Sequence, residues 1–404
     1  MKTVAHRGTT AHVQAAYPFV AEAGLGGRGV YIGQNLLGGA FVYDPFELYD
    51  QGVITSPNML VAGQIGRGKS SLVKTYLLRQ RVYGRRIVVL DPKGEYGPLA
   101  RYCGCEPVRL APAGGVRLNP LDKRIAHDDR LRLLQTVAAA ALERELSPFE
   151  EAALDRALAG AAKTPRRVPT LSAVVDCLLD PSDDAAAKIS ADRGALVEWG
   201  RPVAYELRRL VAGDLKGMFD GPTSGSIDLS APFVSLDLSA VYDSDALGIL
   251  MACAAAWLQG TLAGDDSTKT IFVVEEAWAA LMTLATALWF QANFKLARAR
   301  GLQNLVVIHR FSDLAAVGAQ GSQQERVAKG LLSDTETAVV YAQSPAEVEA
   351  TKTMLGLPDA QAALLPMLER GVGLWRVAGR AFLVWHRLGR TERALVDTDF
   401  RMTA

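Results

Sequence analysis

From about Met59 onward, short apolar runs rich in leucine and β-branched residues alternate with stretches whose apolar positions recur at helical spacing. A strand buried on both faces needs consecutive apolar positions, and regular alternation of such strands with helices predicts an α/β fold with a mostly parallel central sheet flanked by helices. The strands are placed at Met59 to Ala62, Arg86 to Leu90, Phe233 to Leu236, Ile271 to Glu275, Leu305 to Ile308 and Thr337 to Tyr341. Gly373 to Val377 and Ala381 to His386 flank Ala378-Gly379-Arg380 and predict a closing hairpin. Between Asp122 and about Leu215 the alternation stops. That segment is rich in Ala, Leu, Arg and Glu at helical spacing, with breaks near Ser147-Pro148, Thr164-Pro165 and Pro181, and it predicts an all-helical insertion. The first 50 residues show little periodicity and predict a lead-in with a strand or two. The expected division is a lead-in over 1–50, the first part of an α/β core over 51–121, the insertion over 122–218 and the remainder of the core over 219–404.

One stretch, Ala246 to Gly264, is almost free of charge and approaches the length of a membrane span. Its Gln259 and many small residues weaken it as a span, and it lies between two predicted strands, so it reads as a helix packed on a buried sheet and no integral membrane segment is expected. The chain has 404 residues, 49% hydrophobic and 22% charged, enough to bury a large core. Its 44 basic and 43 acidic residues leave a net charge of +1, so any contact with a polyanion has to be local. Four cysteines, without a disulfide framework or a secretory type of amino terminus, indicate a reducing compartment, by default the cytoplasm. Cys103 and Cys105 form a C-x-C pair, but no second Cys/His pair lies at zinc-finger spacing.

Candidate chemistry begins directly after the first core strand. Gly63-Gln64-Ile65-Gly66-Arg67-Gly68-Lys69-Ser70 fits G-x-x-x-x-G-K-[ST], with an apolar strand before it and a helical pattern, beginning with Ser71, after it. The glycines let backbone N–H groups close on phosphates, the helix amino terminus favours their charge, Lys69 reaches the β- and γ-phosphates, and the Ser70 hydroxyl binds magnesium. The loop therefore predicts ATP and Mg2+ as cofactors. Hydrolysis needs acids on a second strand, and Ile271-Phe272-Val273-Val274-Glu275-Glu276 supplies two. Glu275 is assigned to magnesium and Glu276 to the attacking water. His309, at the end of another strand, is a candidate sensor of the γ-phosphate. Lys295, Arg298 and Arg300 read as one basic helix upstream of it, with Arg298 or Arg300 a candidate arginine finger acting in a neighbouring subunit.

With these pieces placed, the chain from about Asp44 to Phe400 resembles the ATPase domain of conjugative-transfer and type IV secretion ATPases of the VirB class, within the HerA/FtsK superfamily of RecA-like pumps. Asp91-Pro92-Lys93-Gly94-Glu95-Tyr96 is similar to the superfamily's D-x-K-G-E-[YW], Asn119-Pro120-Leu121 to its N-P-[LF], and Glu276-Ala277-Trp278 to its E-A-W. Glu275 stands where Asp is usual, and His309 where Gln is usual, before Ser312-Asp313-Leu314. Asp237, at the end of an apolar strand, matches a position read as structural, and the tail from Gln343 to Thr398-Asp399 is also similar. The resemblance implies a RecA-like P-loop NTPase: an ATP-hydrolysing motor for conjugative DNA transfer or type IV secretion. It further implies self-association as a hexamer, partners in the secretion channel, and a cytoplasmic or peripheral place at the inner face of the plasma membrane. The long channel-docking domain of larger members is expected to be missing ahead of the P-loop. Two alternatives remain open at this point: a DNA translocase of the coupling type, and an ATP-binding scaffold subunit that does not hydrolyse.

Overall fold

The computed structural model describes residues 24–396, apart from 124, 164–167, 214, 226, 229–230, 245–246, 263–267, 313–321 and 334. The strands are β1 (Val30–Asn35), β2 (Ala40–Tyr43), β3 (Met59–Ala62), β4 (Arg86–Asp91), β5 (Val108–Arg109), β6 (Phe233–Asp237), β7 (Thr270–Val274), β8 (Leu302–Ile308), β9 (Thr337–Val340), β10 (Val372–Val377) and β11 (Arg380–His386). They form one 11-stranded sheet in the order β2-β1-β11-β10-β9-β3-β8-β7-β4-β6-β5. Every pairing from β9 through to β5 is parallel, whereas β10, β11, β1 and β2 extend the sheet by antiparallel pairing.

Strand side chains alternate between faces, and here both faces are covered. Leu60, Ala62, Val88, Leu90, Phe272, Val274 and Ile308 belong to the core shared with the helical segment and the helices Leu247–Leu262, Leu284–Lys295 and Gln323–Ser333. Met59, Val61, Ile87, Val89, Ile271, Val273, Leu305 and Val307 face the other core, with Leu72, Val73, Tyr76 and Leu77 of the helix Lys69–Gln80. Consecutive apolar residues in each run are therefore required by two separate cores.

The stretch between β5 and β6 is helical, with helices His127–Ala141, Pro148–Ala162, Leu171–Leu179, Asp183–Ala187 and Arg193–Ala212. Ser147 caps the second of these through a reciprocal capping box with Glu150, which explains the break legible at Ser147-Pro148. Thr164 and Pro165 lie outside the described residues. The apolar helix Leu247–Leu262 packs on the sheet and on the helices His127–Ala141 and Ala277–Ala280. Among the described residues no helix is long and apolar enough to cross a membrane.

Two details differ from the sequence-based expectation. The hairpin turn is shorter by one residue: Ala378 (φ 49°) and Gly379 (φ 79°) make a two-residue turn of the type that matches strand twist, so Arg380 already pairs with Val377. β5, which the apolar runs do not announce, adds a short strand beside β6 at one edge of the sheet, while the lead-in's β1 and β2 extend the other edge through β11.

Candidate functional site

All the parallel strands end at one sheet edge, so the segments following β3, β4, β7 and β8 converge there. Beyond Ala62 the chain turns sharply through Gly63, whose φ is 151°. A Cβ on Gly63 would lie 2.6 Å from the Tyr341 Cβ, so no larger residue fits without displacing β9. The loop is pinned on the β9 and β10 side, where the Gln64 N–H donates to the Ala342 carbonyl and the Gly371 N–H to the Arg67 carbonyl, both at 3.0 Å. Gly68 (φ 113°) opens the helix Lys69–Gln80, which takes no side-chain cap. An uncapped amino terminus beside a glycine-rich turn presents backbone donors to an anion. Ile65 at the loop tip is exposed, and the side chains of Ser70 and Ser71 are partly exposed.

Lys69 is buried, and its Nζ donates to the Gly63 carbonyl and, at 3.0 Å, to that of Gln64. The ammonium thus lies folded against the loop that a phosphate would fill. Burial pushes its pKa down to about 8, while Glu275 and then Glu276 act in the opposite direction. The cleft in front of it is lined by Lys69, Ser70, Asp91, Lys93, Glu95 and Tyr96 together with Glu275, Glu276, Val307 and His309.

The two glutamates have opposite environments. Glu276 is 3% exposed and sits in the left-handed region (φ 51°), which turns the chain from β7 into the short helix Ala277–Ala280. Its Oε1 accepts an ion-paired hydrogen bond from Lys93 and lies 2.7 Å from His309 Nε2, and its Oε2 accepts from Trp278 Nε1. Burial opposes its ionisation, but the bonds to His309 and Lys93 more than offset this and hold its pKa at about 2. Glu275 receives the Tyr96 hydroxyl, and burial pushes its pKa up to about 7 despite that bond. Asp91, 1% exposed, accepts from the Tyr96 N–H at 2.9 Å through Oδ2 and leaves Oδ1 without a partner; burial raises its pKa to about 6. Among the described residues no three His, Cys, Asp or Glu side chains cluster as a metal site on their own. Ser70, the orphaned oxygen of Asp91 and, once ionised, Glu275 line one cleft and are hard-oxygen donors of the kind that complete the shell of a phosphate-bound Mg2+.

The raised pKa of Glu275 means that its ionised form is worse placed in the folded chain than in the unfolded one. The penalty is absent below about pH 4.5, grows as pH rises and is complete above about 7. Glu275→Gln is accordingly expected to raise the thermal midpoint of the ligand-free protein at about pH 8 and to leave it almost unchanged at about pH 5. Thermal unfolding followed by circular dichroism at the two pH values checks this, and an equal shift at both would contradict it.

His309 follows β8 into the same cleft, where its Nε2 also lies 3.2 Å from Lys93 Nζ. Depending on the tautomer, that nitrogen either donates to Glu276 or accepts from Lys93. Asp237 Oδ1 accepts from the Ser239 N–H at 2.9 Å and closes the turn after β6. Asp313, Leu314, Thr398 and Asp399 lie outside the described residues.

The basic segment upstream of β8 is arranged differently from the helical reading. The α-helix stops at Lys295, and Arg298–Arg300 form a separate 3₁₀ turn closed by Gly301 at φ 60°, so Lys295 and Arg298 do not share one continuous helical face. This turn precedes β8, whereas the cleft follows it. Seven residues of strand put about 20 Å between the two edges, and neither arginine joins the cleft of its own chain. Arg298 is exposed and donates to the Thr55 carbonyl at 3.4 Å.

Lys93, Tyr96 and Asp91 were legible only as letters of a motif, with no role attached. Their place at and directly after the end of β4 was the available signal, since β4 neighbours β7 and delivers them opposite the glutamates.

Among solved structures, VirB4 of Thermoanaerobacter pseudethanolicus superposes with a TM-score of 0.74 at 22% identity, covering 92% of this chain and 100% of that one. The plasmid coupling protein TrwB in complex with ADP and Mg2+ gives 0.57 at 16% identity, over 82% of this chain and 86% of that one. These likenesses show the fold, which is that of a RecA-like P-loop NTPase with an added helical segment. A stretch of 47 residues is 47% identical to an uncharacterized protein of Bacillus anthracis, which is 12% of this chain and 7% of that protein's length. No family model matches the chain.

Proposed function

We propose that the chain binds ATP with Mg2+ in this cleft and hydrolyses it as the motor of a conjugative-transfer or type IV secretion apparatus. The observation that carries the proposal is the meeting of Lys69 and Ser70, on the P-loop, with Glu275, Glu276, Lys93 and His309, from three other strand ends, in one cleft. The similarity of the fold to VirB4 and TrwB supports the choice of apparatus.

Residues Gly63 to Ser71 cradle the phosphates with backbone donors, and Lys69 leaves the loop carbonyls for the β- and γ-oxygens. Ser70 and Glu275 would hold the cation, and the unpaired oxygen of Asp91 lines the same cleft. When bound, Mg2+ neutralises charge on the transferring phosphoryl group. Glu276 orients the attacking water. Its two cationic or polar neighbours, Lys93 and His309, keep it ionised and fix its direction, which is positioning work on the γ side of the site. His309 therefore reports on the γ-phosphate through Glu276. Arg298 or Arg300, placed at the far sheet edge, serves the cleft of the next subunit in a homo-oligomer, with a hexamer as the working assembly. The motor acts on the cytoplasmic side of the membrane, alone or docked on channel components.

A second reading, a DNA translocase of the coupling type, is favoured by the TrwB likeness alone. One experiment separates the readings: steady-state phosphate release from ATP and Mg2+ over a protein concentration series, with and without single- and double-stranded DNA. Turnover rising more than linearly with protein is expected for an interface site. Further stimulation by DNA, lost as salt is raised, would transfer the assignment to the translocase. Tight ATP binding without phosphate release would overturn the motor in favour of a scaffold.

A further inference from the structure

The acids fix which end of the P-loop takes the terminal phosphate. Strands β8 and β7, which lead into His309, Glu275 and Glu276, lie on one side of β3; β9, β10 and β11 lie on the other. A nucleotide with its terminal phosphate against the acids extends its nucleoside toward β9 to β11. On that side the Tyr341 ring approaches Gly68, its Cε1 lying 3.6 Å from where a Cβ on that glycine would sit, and Gly371 is hydrogen-bonded to the loop at Arg67.

Next outward is Trp385 of β11. Its indole Cδ1 and Nε1 lie 3.8 Å from where a Cβ on Gly371 would sit. The ring is 39% exposed, the most open of the six tryptophans, although the Arg387 guanidinium carbon lies 3.4 Å from its centroid. β11 lies three strand spacings, about 14 Å, from β3, and Gly371 bridges the gap to the loop. The same side carries Gln343, 2% exposed, with both amide atoms unpartnered and its neighbour Ala342 bonded to Gln64 of the P-loop. A buried amide left unpaired is costly, and the edge of a nucleobase offers both donors and acceptors.

We infer that Trp385, with Arg387 stacked on it, is the platform on which the base of the bound nucleotide lies. The indole and guanidinium planes present a flat, polarisable surface where the nucleoside leaves the P-loop, and an exposed aromatic backed by a cation is suited to base stacking. This inference rests on the nucleotide-binding reading above.

The test compares ATP with inorganic tripolyphosphate, each titrated calorimetrically into wild-type protein, Trp385→Ala and Trp385→Phe. Trp385→Ala is expected to lose about 5- to 100-fold in ATP affinity while tripolyphosphate binding stays unchanged, and Trp385→Phe to keep most of the ATP affinity. The inference is overturned if alanine leaves ATP affinity intact, or if it weakens both ligands equally. Wild-type protein that binds tripolyphosphate as tightly as ATP removes the base platform alone; binding of neither removes the nucleotide reading and the platform with it.

Discussion

Lys69→Ala is expected to lower ATP affinity by about two to three orders of magnitude while leaving the fold in place. In the ligand-free protein the ammonium is buried against the Gly63 and Gln64 carbonyls, so it already carries a desolvation cost, visible in a pKa pushed down to about 8. A phosphate in the loop would give that charge two or more charge-assisted hydrogen bonds. Losing one partner of a desolvated charged pair costs about 2–5 kcal/mol, which is the source of the expected factor. Equilibrium binding of a fluorescent ATP analogue, with the thermal midpoint measured in parallel, reads the two effects separately. Lys69→Met keeps the aliphatic volume and is expected to match the alanine variant in binding. Near-wild-type affinity in both would remove the P-loop assignment.

Glu276→Gln is expected to reduce turnover by about two to four orders of magnitude with ATP affinity changed by less than about threefold. The amide keeps the shape of the side chain but gives up the charge on which Lys93 and His309 converge. Water would then lose its orienting acceptor, while the P-loop contacts that dominate binding remain. Stability moves too. The pKa of Glu276 is depressed to about 2, so its ionised form stabilises the fold above about pH 4.5, and that contribution disappears as pH falls through this range toward 2. The variant should therefore melt lower than wild type at neutral pH, with the difference shrinking in acid. Single-turnover phosphate release with prebound ATP separates chemistry from binding. If Glu275→Gln abolished turnover and Glu276→Gln did not, the two roles would be exchanged.

The parts of the site that were legible in the sequence are those made by contiguous residues. Gly63 to Ser71 is one such stretch, because a strand, a glycine-rich turn and a helix start follow one another without a long-range partner. The pair Glu275-Glu276 is another, since four apolar residues announce the strand that carries them. What the sequence could not show is that the two neighbouring carboxylates differ so sharply. One faces Tyr96 and is pushed toward neutrality; the other faces Lys93 and His309 and is held ionised. Those partners lie between 33 and 183 positions away in the chain. The arginines show the converse: helical spacing put Lys295 and Arg298 on one face, whereas the helix ends at Lys295 and Arg298–Arg300 form a separate turn at the edge of the sheet opposite His309.

Runs of consecutive apolar residues and helical periodicity are local properties, so the sequence by itself determined the strands of the parallel part of the sheet except the two-residue β5, the helical segment between Asp122 and Leu215, and the glycine-rich turn that opens the helix Lys69–Gln80. Strand order is not local. It follows from which apolar faces close both cores at once, and it decided that β4 stands beside β7 and that β9 to β11 form the opposite wall of the loop. Tertiary structure thereby set the charge state of Glu275 and Glu276, the pairing of Lys93, and the place of Trp385, because desolvation and hydrogen bonding act through space and are fixed only when the strands have found their neighbours.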